Sequence, residues 1–144
     1  MPSIVLDSTV LVSAFLAPQG AAATVLMHVR AGRVELALSE AVLQETARVL
    51  LTYPHIRERY DYPDSAVHAF CEGLAQMNRL LTDFPALSGI CRDPDDDMVL
   101  ACAMAAGVAY LVTRDKDLLV LQHYEGIAIV PPEAFLAFLR TNPH

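Results

Sequence analysis

The amino-acid sequence predicts an α/β sandwich built on a mostly parallel sheet. Three observations point there. Short apolar runs rich in branched residues alternate with longer helical stretches almost throughout. Pro, Gly and capping Ser or Asp residues mark the breaks between them. Aspartates stand just past the ends of two of the runs, at Asp7 and Asp115, and parallel sheets place their ligands at that edge.

The elements follow in order. "SIVLDS" is a buried strand ending in Asp7. "TVLVSAFLAP" continues as a short helix, stopped near Pro18-Gln19-Gly20. A second helix is expected from about Ala21 to Ala31, with Gly32 as its stop. "VELALS" is the second strand, and Ser39 caps a helix over about Glu40 to Thr52, which Pro54 ends or bends. Pro63 opens another helix reaching about Asn78, and "TDFPALSG" is loop. Asp93 as N-cap and Pro94 in the first position start a helix that runs to Ala106 and stops at Gly107. "AYLVT" is the third strand, Asp115 to about Gln122 a short helix, "IAIV" the fourth strand and Pro132 to Arg140 the last helix.

Composition narrows the class. At 144 residues one domain over 1–144 is expected, with room for a sizeable core. Hydrophobic residues make up 54% and mean hydropathy is +0.36, which argues against disorder. The uncharged run Met98 to Val112 is too short for a membrane span and is broken at Gly107. "MPSIVLD" has no basic stretch ahead of an apolar core, so no signal peptide is expected. Cys71, Cys91 and Cys102 form no CxxC pair; a reducing, cytoplasmic setting fits them better than a disulfide framework or a structural zinc. His28, His55, His68, His123 and His144 are scattered without ligand spacing.

The acids converge. The helix beginning near Asp93 turns tightly at Gly107 into the third strand, so the two are antiparallel and Asp97 is brought towards Asp115. Glu45, in the second turn after the second strand, reaches the same rim as Asp7. Four carboxylates there repel one another unless a cation sits among them. Oxygen-only ligands suit Mg²⁺ or Mn²⁺ rather than zinc. Such a site activates a water and stabilises in-line displacement at phosphorus. A net charge of −7 ordinarily disfavours nucleic acid, but counting four of the acids as ligands leaves −3. Arg92, Arg114 and Lys116 flank the acids as candidate phosphate holders, and Thr113, two residues before Asp115, joins them as a secondary candidate. Asp93 is an N-cap or an outer partner of the site. Asp95, Asp96 and Asp117 are expected as first-turn charges favoured by the helix dipole, and Glu45 has a competing partner in Arg48 at i,i+3. The helix "MVLACAMAAG" has no polar face and is expected to be buried all round.

"VLDSTVLVSAFL", "LSEAVLQETARVL", "CRDPDDDMVLACAMAAGVAYLVTRDKDLL" and "IAIVPPEAFLAFL" together resemble the PIN-domain family, and within it the bacterial toxin components related to VapC. The resemblance covers nearly the whole chain and is most specific from Cys91 to Leu119. It implies a three-layer, Rossmann-like α/β/α sandwich, metal-dependent cleavage of single-stranded RNA and a partner antitoxin. Asp7, Glu45, Asp97 and Asp115 fall on the family's acidic quartet. Where the family usually has Asn or Ser two residues after the first aspartate, this chain has Thr9, which keeps a hydroxyl and loses the amide; the orientation of Asp7 is the feature affected. A homodimer or larger assembly is expected from the apolar central helix. Two other readings compete. A phosphatase with Asp7 as nucleophile lacks the usual second acid at position 9. A catalytically weakened RNA- or protein-binding module would leave Thr9 as a mark of decay.

Overall fold

The computed structural model describes residues 1–142; His144 lies outside them. Among the described residues six strands, β1 (Ser3–Leu6), β2 (Glu35–Ser39), β3 (Arg79–Leu81), β4 (Tyr110–Val112), β5 (His123–Tyr124) and β6 (Ile127–Val130), form one sheet in the order β3-β2-β1-β4-β6-β5. Every pairing is parallel except β5 with β6. The mostly parallel α/β architecture expected from the sequence is therefore the observed one. Among the described residues eight helices, α1 (Ser8–Leu16), α2 (Ala21–Arg30), α3 (Glu40–Thr52), α4 (Pro54–Arg59), α5 (Asp64–Met77), α6 (Pro94–Ala106), α7 (Lys116–Leu119) and α8 (Pro132–Thr141), flank it.

Burial explains the layout. β1 is central, and Ile4 and Leu6 are fully buried between β2 and β4. They join Leu11, Leu38, Leu100 and Leu111 in one continuous core. Each such side chain contributes about 1.5–3 kcal/mol relative to exposure. α1 packs on α2 and α3, α2 on α8 and α3 on α5, while α6 lies across β2, β1 and β4. None of the helices among the described residues is by itself long and apolar enough to cross a membrane.

The caps behave as their residue types dictate. Ser39 accepts a hydrogen bond from the Val42 N–H at 3.0 Å, and Asp93 accepts one from Asp95 at 2.9 Å. Gly107 ends α6 with φ +68°, the left-handed conformation that lets the chain reverse into β4.

The structure differs from the sequence reading in four places. β3 and β5 were not expected; both are short, lie at the sheet edges and bury little, so neither carries a periodic apolar signal. α4 is a separate six-residue helix opened by Pro54. α7 stops at Leu119, because Gln122 takes φ +63° and the hairpin turn at Glu125-Gly126 follows. α6 is not buried all round: it covers the sheet with one side and leaves Met98 and Met104 each 42% exposed.

Candidate metal centre

Registry sets the site. Leu6 pairs with Val112, so the residues that follow, Asp7 and Thr113, emerge side by side at the carboxyl edge of the sheet. β2 ends at the same edge with Ser39 and hands over to α3. α6 returns antiparallel to β4 and brings its N-terminus there as well. A cleft of about 480 Å³ opens between these ends, with Asp7, Thr9, Glu45, Arg48, Asp96 and Asp115 in its walls.

Asp7 is 3% exposed and fully engaged. Oδ1 accepts from the Thr9 hydroxyl at 2.6 Å and from the Val10 N–H at 3.2 Å; Oδ2 accepts from the Thr113 hydroxyl at 2.6 Å. Burial holds its pKa above the ordinary carboxylate value despite these three donors, and the charge of Asp115 pushes the same way. Thr9 also accepts from the Arg114 N–H at 3.1 Å, and Thr113 from the Asp115 N–H at 3.0 Å. The two threonines thus tie the start of α1 to the loop after β4, and both hydroxyls fix the Asp7 carboxylate.

Asp115 caps α7, its Oδ1 accepting from the Asp117 N–H at 2.9 Å. Asp96, Asp115 and Asp117 each present an oxygen within 4.8 Å of the others. Asp96 is 5% exposed, and its Oδ2 is buried without a hydrogen-bond partner. Burial, then a hydrogen bond to Asp115 and the charges of Asp115, Asp93 and Asp7, push Asp96 up to about 7. An unpartnered buried carboxylate oxygen among other acids is what a hard cation with oxygen ligands would satisfy, so the donor set fits a divalent ion.

The sequence-predicted residues divide on this geometry. Asp7, Glu45 and Asp115 all reach the cleft, as do Thr9 and the N-cap Asp93. Asp97 does not. Its Oδ1 accepts from the Cys91 N–H at 2.7 Å, and the side chain secures the loop leading into α6. The reason is helical rotation: successive residues lie about 100° apart, so with Asp93 as cap Asp96 faces the cleft and Asp97 turns to the preceding loop. Asp96 and Asp117, expected as first-turn charges, are the residues brought into the cluster. Glu45 is held by Arg48 through two hydrogen bonds, at 2.7 and 3.1 Å, so the competing i,i+3 pair is formed within the cleft wall. Arg114 donates two hydrogen bonds to Glu133, at 2.9 and 3.1 Å, and is not among the residues of the cleft wall. Arg92 and Lys116 are exposed and lie outside it too.

A PIN domain profile matches residues 3–117, and the chain belongs to the PIN domain family. PIN domains are generally nucleases and typically use divalent metals. Among solved structures, PAE2754 of Pyrobaculum aerophilum superposes with a TM-score of 0.65 at 17% identity, over 97% of this chain and 90% of that one. VapC20 of Mycobacterium tuberculosis, a toxin that cleaves the sarcin-ricin loop, superposes with a TM-score of 0.56 at 14% identity, over 87% of this chain and 98% of that one. At these identities the likeness is one of fold. No curated protein matches the sequence significantly.

Proposed function

We propose that this protein is a metal-dependent endoribonuclease that hydrolyses phosphodiester bonds of single-stranded RNA and acts in the cytoplasm as the toxin of a toxin–antitoxin pair. The observation that carries the reading is Asp96: a buried carboxylate with an unpartnered oxygen, set against Asp115 and Asp117 and near the charge of Asp7. In the absence of a counter-charge such a cluster is costly and partly protonated. Asp7, Asp96 and Asp115 are the residues we assign to an Mg²⁺ or Mn²⁺ ion, with Glu45 and Asp117 at its margin and Asp97 supporting from behind through Cys91. Bound there, the ion would supply electrostatic stabilisation at phosphorus and an activated water. The chain's own contribution is to hold Asp7 in one orientation through Thr9 and Thr113. An antitoxin partner and a homodimer or larger assembly complete the proposal; likeness to the fold of VapC20 supports the first.

Incubation with mixed RNAs in Mg²⁺, Mn²⁺ or chelator tests it. Cleavage in the presence of metal, abolished by chelator and by Asp96→Asn, is expected. The pairing of Glu45 with Arg48 favours one alternative, a binding module that has lost activity. RNA binding without cleavage in saturating Mn²⁺ would decide for that module.

A further inference from the structure

A row of planar groups that the metal centre does not use starts at the cleft wall and runs beyond it, past the end of α3 into α4. Arg48 lines the cleft. Its Cζ lies 5.4 Å from the Tyr53 ring centroid, and Nη2 also approaches the Tyr53 hydroxyl at 3.5 Å. The Tyr53 and His55 rings follow at 5.7 Å, tilted by 47°. Neither ring belongs to the hydrophobic core; Tyr53 is half-buried beside Arg48, and His55 is exposed. The neighbouring aromatic does have a packing role. Tyr62 donates to the Leu50 carbonyl at 2.6 Å and meets Phe15 edge-on at 4.9 Å, with Arg57 over its ring. Arg48 is the cation of this row, its side chain 53% exposed. Nε and Nη2 are engaged by Glu45 and Tyr53, and Nη1 has no hydrogen-bond partner among the described residues. A planar fork with spare donors suits a phosphate, and an exposed ring beside a half-buried one suits a stacked base.

We propose that Arg48, Tyr53 and His55 form a track for single-stranded nucleic acid leaving the cleft, with a phosphate on Arg48 Nη1 and a base on the Tyr53–His55 rings. The track rests on the nuclease reading for its direction, since it starts at the proposed metal centre and runs about 12 Å down α3 from Glu45 to Tyr53, at 1.5 Å per residue. Base stacking of this kind is tolerant of sequence, so the track gives affinity and strand polarity rather than base choice.

Fluorescence anisotropy with a short labelled oligouridylate, in the Asp7→Asn background that leaves it uncut, tests the track directly. Tyr53→Leu keeps an apolar side chain of similar reach and should weaken binding about tenfold, within the range for loss of one stacked base. Tyr53→Phe keeps the ring and should bind like the parent. In the catalytic background, Tyr53→Leu should raise KM for the oligonucleotide and leave kcat unchanged, while cleavage of a dinucleotide, too short to reach the track, is unaffected. Equal affinities of Tyr53→Leu and its parent overturn the track and leave the nuclease standing. Tighter binding by the Asp7→Asn protein than by its Tyr53→Leu variant, with no cleavage in Mn²⁺ by the protein that keeps Asp7, retains the track and removes the nuclease. A parent that binds no strand overturns the track as well.

Discussion

Adjacent aspartates in α6 should respond to the same substitution with opposite signs. Asp96→Asn removes a buried charge whose pKa is raised from 3.8 to about 7. At 1.36 kcal/mol per unit, ionising it costs on the order of 4 kcal/mol in the metal-free protein. An amide recovers part of that by donating to Asp115, so Asp96→Asn should stabilise the metal-free protein by about 2 kcal/mol at pH 8, roughly 8 °C in Tm for a chain of this size. Asp97→Asn weakens the 2.7 Å bond from the Cys91 N–H by removing the charge that strengthens it. That loss is about 1 kcal/mol, or roughly 4 °C downward. Added Mn²⁺ at about a hundredfold over its Kd raises stability by roughly 2.7 kcal/mol where the site is intact. Thermal melts in chelator and in Mn²⁺ should therefore show the parent and Asp97→Asn gaining equally from metal, and Asp96→Asn gaining almost nothing. The reverse pattern, with the metal shift lost in Asp97→Asn and kept in Asp96→Asn, would refute the assignment of Asp96 as the ligand and restore Asp97.

Other outcomes follow from the same geometry. Thr9→Val removes a hydroxyl that donates to Asp7 at 2.6 Å and should slow RNA cleavage about tenfold, near 1.4 kcal/mol, whereas Asp7→Asn should abolish it; single-turnover rates at saturating Mn²⁺ separate them, and an unslowed Thr9→Val would reduce that hydroxyl to a helix-start role. Because Asp96 is raised, its contribution to metal-free stability is full below the ordinary carboxylate pKa and is lost as pH rises through about 7; urea midpoints in chelator should fall between about pH 4 and 7 and level off above, while Mn²⁺ affinity rises over the same window in calorimetry. Gly107→Ala meets no atom within 4 Å, so its cost is the φ of +68° alone, about 1–2 kcal/mol in urea unfolding.

The strands that carry buried apolar runs, β1, β2, β4 and β6, were legible in the sequence, as were the caps at Ser39 and Asp93 and the stop at Gly107. Each has a local cause: branched residues, a side-chain acceptor, or a missing Cβ. β3 and β5 were not legible, because edge strands gain their place from a neighbour's unpaired backbone rather than from their own pattern. The fate of the flanking cations was equally hidden. Nothing near Arg114 in sequence announces Glu133, which comes from the far side of β6 and claims its guanidinium.

The choice between Asp96 and Asp97 has a deeper cause. Read from sequence, capping and ligation are alternatives, and of the first-turn acids of α6 only Asp97 is expected as a ligand, with Asp95 and Asp96 as dipole charges. In the proposed metal centre the two roles coincide. α1, α6 and α7 all begin at the cleft, and each starts from an aspartate that accepts a backbone N–H of its own helix: Asp7 from Val10, Asp93 from Asp95, Asp115 from Asp117. A carboxylate has two oxygens and several lone pairs, so a capping aspartate keeps acceptor capacity for a cation. Three helix N-termini converging on one rim also supply partial positive charge, most effectively from the longer α1 and α6, which favours gathering acids there before any metal arrives. The same physics that makes Asp a good cap therefore makes these caps a good binding edge. Only the helix register, fixed by Asp93 and Pro94, decides which of the following acids turns inward.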